Sequence, residues 1–504
     1  MTKARRLVVG GGAILAAWLV AFVSVVRRPV VRSDEAWFLW VAVRANSGTP
    51  LYRGVYFVTT PLAMWCMQLG AFLFGSDIAV ERALTSACFA ASLALVWIIA
   101  KRFAVPVRTR ALIGAAMFVW AAPATHFTSV YSMLAVTLSL GALLALISCA
   151  GARDAGGSGL GAAVVTGVLV GAACAAKPNI GVVALLAVVA SLIASDLLPR
   201  PRADGASRVV AAVALGFTGT MAAVLLPFVI NGSLGNLVGD VFLGKGATYF
   251  SVEEFGYGGA SQLILIAAVA FVVVGLRRAP ASTRRALIAP SAFVAVGLVA
   301  AAPDFRAQHL TEAFPLLALA AVVIAAAYAA HPLAPRQPRR WVVVMSVLAA
   351  VAVVAAMGWW TYRPPGGGPD AVVADRSAHF TGSLTTAASA AKVRADLTEL
   401  RRDTGGTVFL AFIDAGYYYL AGRLRDPTAY DYPGRSDLGP GGERGAIHVL
   451  RRRHVRWVCV RRPTPSQSKL VPSRLETFVR AEFRFVDRLN VCDLYQATDV
   501  APAS

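Results

Sequence analysis

The chain has 504 residues, 57% of them hydrophobic and only 15% charged, with a formal net charge of +21. A mean hydropathy of +0.63 excludes a water-soluble globule of this length, and the composition is that of a polytopic α-helical membrane protein. The excess of Lys and Arg forms no basic run interleaved with aromatics, so it does not point to nucleic acid as a partner.

A helix needs about 20 apolar residues to cross the hydrocarbon core. Runs of that order are expected to span at 7–26, 78–100, 110–125, 129–150, 158–176, 178–198, 207–230, 259–276, 285–302, 312–330 and 341–361, about 11 transmembrane helices in all. The first is preceded by Lys3, Arg5 and Arg6 and followed by Arg27 and Arg28 with no small-residue cleavage pattern, so it reads as an uncleaved helix. Basic residues crowd alternate connections, among them Lys101, Arg102, Arg108, Arg110, Arg277, Arg278, Arg339 and Arg340. Because short loops rich in Lys and Arg stay inside, the N-terminus is expected to be cytoplasmic in a multi-pass protein of the inner or plasma membrane. Two outer loops are long, 27–77 and 231–258. After the break RPPGGGP at 363–369 the composition turns ordinary, dividing residues 1–362, a transmembrane module, from 370–504, a C-terminal extracytoplasmic α/β domain. That tail reads as helix at 384–402, strand at 407–413, helix near 444–454, strand at 456–462, helix near 472–482 and strand-like residues at 483–497. Cys459 and Cys492 lie in two of those strands, where an oxidising compartment lets them pair.

The stretch SDEAWFLW opens outer loop 27–77 with adjacent acids, Asp34 and Glu35. On local chemistry alone this is a helix start, with Ser33 as N-cap and two acids on the positive end of the helix dipole. The order of the whole loop is more specific: Asp34-Glu35, Trp37, the turn Gly48-Thr49-Pro50-Leu51-Tyr52, and an apolar segment opened by Pro61-Leu62. It resembles the first outer loop of the GT-C glycosyltransferases that use polyprenyl-phosphate sugars, in the branch of the protein O-mannosyltransferases and lipid A aminoarabinose transferases. ERALTSACFAASLAL at 81–95 looks like that family's Arg-led second membrane helix, GVLVGAACAAKPNIGV at 167–182 like its Gly-rich helix ending in Lys-Pro, and APDFRAQHLTEAFPLLALA at 302–320 like its late loop. DAGYYYLAGRLRDPTAYDYPGR at 414–435 looks like the aromatic segment of many bacterial relatives, and its Tyr417-Tyr418-Tyr419 cluster is expected to be half core and half surface.

The resemblance implies an integral-membrane glycosyltransferase that moves a sugar from a polyprenyl-phosphate-linked donor to a hydroxyl of an envelope glycan, lipid or protein, with membrane lipid around it. Glycosyl transfer to a hydroxyl passes through an oxocarbenium-like state, and a carboxylate takes the acceptor proton. The resemblance gives that role to Asp34, with Glu35 as helper or orienter. The leaving lipid phosphate calls for fixed positive charge, and the outer-face candidates are Arg82, Lys177, Lys245, Arg306 and His309. Trp37, Tyr52, Tyr56, His126 and Tyr131 are the candidate acceptor or sugar contacts. Loop 231–258, long and rich in glycine and aromatics, is a candidate lid.

Two departures stand out. Thr59-Thr60 occupies the place before Pro61 where many relatives carry a basic residue for the lipid phosphate, and the stretch near residue 128 has no second acid, so either His126 or Tyr131 stands in or the acceptor and metal arrangement differs. Six histidines without an HxxxH or Cys-His grouping give a divalent metal no ligand set, and no cofactor is assigned. The rival classes are a flippase or transporter for a lipid-linked substrate, which calls for mid-membrane charges and repeat symmetry, and a membrane sensor or scaffold with an outer binding domain.

Overall fold

A computed structural model of the chain describes residues 3–121, 129–194, 204–243, 259–301, 307–330, 372–430, 441–461 and 473–498. In lipid a backbone finds no water, so each apolar run satisfies its own N–H and C=O groups as a helix. The helices in chain order are α1 (Lys3–Val25), α2 (Glu35–Asn46), α3 (Pro61–Phe74), α4 (Ile78–Arg102), α5 (Val107–Ala121), α6 (Val130–Asp154) and α7 (Leu160–Ala176). They continue with α8 (Pro178–Ala194), α9 (Asp204–Ile230), α10 (Leu234–Val238), α11 (Gly259–Arg278), α12 (Ala281–Ala301), α13 (Ala307–Leu317) and α14 (Leu319–Ala329). α10 runs directly into a π-helical turn, Gly239–Leu243.

Five helical stretches among the described residues are long and apolar enough to cross a membrane: Ile78–Arg102, Val130–Asp154, Ser207–Ile230, Ala281–Ala301 and His309–Ala329. The expected count of eleven is not reached on that measure. α7 and α8 have 17 residues each, about 25 Å at 1.5 Å per residue, against a hydrocarbon core of about 30 Å. The expected span 341–361 and the break 363–369 lie outside the described residues. The last of the five stretches combines α13 and α14, with Pro315 inside it. A proline lacks the N–H that would bond the carbonyl four residues back, so a kink is the ordinary result.

Small residues bring α7 and α9 into backbone contact. A Cβ on Gly167 would lie 2.0 Å from the Val213 carbonyl oxygen, and one on Gly216 would lie 2.3 Å from that of Val164. Where lipid is as apolar as the side chains, such close approach replaces hydrophobic burial as the source of helix association.

The region after 372 adds β1 (Val372–Ala374), β2 (Leu384–Thr386), α15 (Ala387–Thr404), β3 (Phe409–Ala411), α16 (Ala415–Gly422), α17 (Gly442–Arg452), β4 (Trp457–Arg461), α18 (Ser473–Glu482), β5 (Phe483–Arg488) and β6 (Cys492–Ala497). β1 and β2 form an antiparallel pair, and the other four strands make one sheet in the order β3-β4-β6-β5, with β3 and β4 parallel and the rest antiparallel. A disulfide joins Cys459 on β4 to Cys492 on β6, with Cα atoms 5.7 Å apart.

One face of this region has a core of its own around Phe409, Leu450, Val458 and Val479. Its other face shares a core with the first outer loop, in which α2 and residues 51–58 pack with Phe380, α16, Trp457 and Leu494. The tyrosines of α16 belong wholly to that shared core: Tyr417, Tyr418 and Tyr419 are each at most 3% exposed, so the expected half-surface position is corrected. Tyr419 stacks on Trp40 of α2 at 5.0 Å, and Gly416 allows the two helices to touch, since a Cβ there would lie 2.8 Å from the Trp37 Cα.

Candidate active site

Asp34 stands at the mouth of α2 because a buried ion pair fixes the chain on both sides of it. Arg82, on the second turn of α4 and 1% exposed, donates Nε and Nη2 to the two Glu35 carboxylate oxygens at 2.9 Å each. Its Nη1 donates to the carbonyls of Val25, Val26 and Arg28 at 2.8–3.0 Å, and its Nη2 also donates to that of Pro29 at 3.2 Å. Glu35 Oε2 accepts in addition from the Val31 N–H at 2.9 Å. A guanidinium has five N–H donors, and these partners occupy all of its nitrogens. Arg82 is therefore a ligand of its own chain and not of a lipid phosphate. Glu35, 3% exposed, is its counter-charge. Burial corrects the expectation of Arg82 as a free phosphate cation, while the position of Glu35 fits the orienting half of its expected role.

Asp34, and not Ser33, occupies the N-cap position of α2, and its carboxylate makes no capping bond to the helix. It is half-buried, accepts from the Ser33 hydroxyl at 3.2 Å, and lies within electrostatic range of the buried Glu81 on α4. Glu81 was not among the sequence candidates.

A second polar centre forms where α6, α7 and α13 meet. Lys177, the single residue between α7 and α8, donates to Ser132 Oγ at 2.8 Å and pairs with Glu312 Oε2 at 3.6 Å. His309 Nδ1 is 3.3 Å from the same Glu312 oxygen. Glu312 Oε1 accepts from the N–H and the hydroxyl of Ser129, both at 3.1 Å. Glu312 and Ser132 are fully buried, while the Lys177 and His309 side chains retain 17% and 23% exposure. Thus a carboxylate does arrive beside residue 129, but from α13, 183 positions along the chain. The sequence reading missed it, although an acid and a histidine three apart on an apolar helix is a recognisable signal for a functional intramembrane pair. The two centres are linked by aromatic contact: the ring of Phe38, one turn beyond Asp34, is 5.9 Å from Tyr131, and the Tyr131 ring lies 5.4 Å from Lys177 Nζ.

The remaining aromatic candidates are core. Trp37, Tyr52 and Tyr56 are 4–5% exposed. Tyr52 has φ +64°, donates its hydroxyl to the Thr59 carbonyl at 2.7 Å, and meets the Phe228 ring at 5.2 Å. Trp37 lies 5.6 Å from Phe57, and the Tyr56 N–H bonds the Ala429 carbonyl. None presents a face to a sugar, and the three expected contacts are corrected accordingly. Thr60 donates to the Cys174 carbonyl at 3.1 Å, tying the start of α3 to the end of α7. Asp240, in the π-helical turn, docks on this segment by accepting from the Phe57 N–H, and burial pushes its carboxyl up to about 7 despite that bond. Its charge and, first, burial also raise the Tyr52 phenol. Lys245, Arg306, His126 and residues 244–258 of the expected lid lie outside the described residues. Among the described residues the one grouping of acids close enough to share a cation is Glu399, Asp403 and Asp487, where Arg402 already pairs with the first two.

By sequence, no family model and no curated protein matches the chain. Solved structures do. ArnT from Cupriavidus metallidurans bound to undecaprenyl phosphate superposes with a TM-score of 0.59 at 14% identity over 100% of both chains, and its apo form with 0.56 at 17% identity over 98% of both. The oligosaccharyltransferase of Archaeoglobus fulgidus in the apo form gives 0.52 at 11% identity, over 90% of this chain and 69% of that one. The chain has the GT-C fold. In this chain the loop that carries Asp34 packs with the C-terminal region through the shared core of α2 and α16.

Proposed function

We propose that the chain is an integral-membrane glycosyltransferase that moves a sugar from a polyprenyl-phosphate donor to a hydroxyl of an envelope glycan, lipid or protein at the outer membrane face. The observation that carries this reading is the fixation of Asp34 by the Arg82–Glu35 knot, one aromatic relay away from the Lys177–Glu312 centre. A carboxylate and a cation so held suit the two ends of a displacement at an anomeric carbon.

In this mechanism Asp34 takes the acceptor proton as the acceptor oxygen attacks the anomeric carbon. The bond to the donor phosphate breaks on the opposite face, and the product is inverted. Lys177, with His309 beside it, meets the charge that develops on the leaving phosphate. Glu312 and Ser132 hold the Lys177 ammonium in place, and no basic residue before Pro61 is needed for that contact. Polyprenyl donor arrives laterally from the membrane and acceptor from the aqueous side.

Removing a positioned base lowers such a step by about 10²–10⁴-fold. Membranes carrying Asp34→Asn at wild-type protein level, supplied with a panel of polyprenyl-phosphate sugars, are expected to lose transfer by at least about 100-fold. Full retained transfer overturns the role of Asp34. Transfer by neither variant nor wild type, with export of a lipid-linked sugar instead, overturns the reading in favour of a flippase.

A further inference from the structure

An open cavity of about 1060 Å³ lies in the C-terminal region, between α15, α16 and the segment 373–378. Four arginines line it: Arg394 and Arg401 from α15, Arg423 from the end of α16, and Arg376 from the facing segment. α15 sorts its charge by face. Arg394 and Arg401 stand seven residues apart, on one side of the helix. Its acids lie elsewhere: Asp396 accepts from Asn490, and Glu399 and Asp403 pair with Arg402. Arg401 uses its Nε on the Gly422 carbonyl at 2.7 Å. Among the described residues no carboxylate pairs with Arg376, Arg394 or Arg423, and the one acid on the wall, Asp375, is buried and bonded to the Tyr417 hydroxyl.

We infer that this cavity binds a phosphate- or carboxylate-bearing glycan, the acceptor of the transferase. Planar guanidinium forks match both anions bidentately, and four of them around one concavity, whose single wall acid is already bonded to Tyr417, call for an anionic occupant. The volume sits at the upper end of the range for single-ligand sites and has room for several sugar rings, which a lone inorganic anion does not fill. The cavity also adjoins the catalytic loop. The Tyr417 wall is stacked by the Arg32 guanidinium at 4.5 Å, and Arg32 donates to Ser389 in the first turn of α15 at 3.0 Å. Arg32 is two residues before Asp34, so the wall of the cavity and the segment that presents the base are tied to each other.

Naming the occupant an acceptor rests on the glycosyltransferase reading, but its binding is measured without turnover, so the two fail separately. The full chain is placed in phosphatidylcholine nanodiscs and titrated with oligo(glycerol phosphate), oligogalacturonate and a neutral oligoglucose of equal length. Both anionic oligomers are expected to bind and the neutral one not. Arg376→Gln with Arg394→Gln, at positions with no internal bond to lose, is expected to weaken anionic binding at least tenfold while undecaprenyl phosphate binds unchanged. Equal affinity for neutral and anionic oligomers, no anionic binding by the wild type, or wild-type affinity in the double variant overturns the proposal. So does loss of oligomer binding in nanodiscs containing phosphatidylglycerol, which assigns the cavity to lipid headgroups.

Discussion

Arg82 and Glu35 bury opposite charges side by side, and each is tolerated only because of the other. Losing one partner of such a pair leaves an uncompensated buried charge, at about 3–5 kcal/mol. Arg82→Lys keeps the charge but gives three donors in place of five and no planar fork, so several of the carbonyls at 25–29 lose their partner. It is expected to lower the thermal midpoint in detergent, while the protein that remains folded binds undecaprenyl phosphate as the wild type does. Weakened lipid binding by folded protein would restore Arg82 as a phosphate ligand. Asp240 provides a pH-dependent contact at the same scale. Its carboxyl is held near 7 against an ordinary 3.8, so between those values the docked state keeps a proton that the undocked state has released. Docking is therefore strongest below about pH 4, weakens as pH rises toward 7, and is flat above it. Amide exchange at 52–58 and 234–243 is expected to quicken from pH 5 to pH 7 after correction for intrinsic rates, and Asp240→Asn to remove that dependence.

At the scale of elements, the crossing of α7 and α9 is decided by what is missing from Gly167 and Gly216. Any side chain at Gly167 meets the Val213 carbonyl, and backbone does not move aside as a flexible side chain would. Gly167→Leu is expected to cost at least about 3 kcal/mol, the upper end for overpacking, and to remove most monodisperse protein after extraction. Gly161→Leu, on the same helix with nothing within 4 Å of its Cβ, is expected to leave it intact. Equal yields from the two would show that the crossing does not depend on contact at Gly167. The same crossing bears on function, because α7 ends at Lys177 and its tilt sets where that ammonium meets Glu312.

For the whole molecule the connections that matter are long in sequence. Arg44 at the end of α2 pairs with the buried Asp426 at 3.5 Å and donates to the Thr428 and Gly54 carbonyls, locking the first outer loop to the C-terminal region. The Cys459–Cys492 bridge closes a loop of 33 residues at the edge of that shared core. By chain entropy such a loop is worth about 3–4 kcal/mol. Cys459→Ser is expected to destabilise the C-terminal region by that amount, and reductant to lower the unfolding midpoint of the wild type but not of the variant. An unchanged midpoint in both would leave the bridge without a stabilising role.

Several of the apolar runs that form helices, the presence of strands after residue 407 and the choice of Asp34 as the residue to test were legible in the sequence, because hydrophobic runs, period and helix-start chemistry are local properties. The partners of the charges were not. Glu35 reads as a neighbour of Asp34 until Arg82 claims it from 47 residues away, and Glu312 reads as an ordinary acid until Ser129 meets it across 183. Tyr52 and Trp37 read as ligands until the loop folds them under α16 and α9. Apolar length decides that a segment becomes a helix, but only the packing of helix ends against one another decides which buried polar groups meet. In a medium with no water to take up an unpaired charge, those meetings separate scaffold from site.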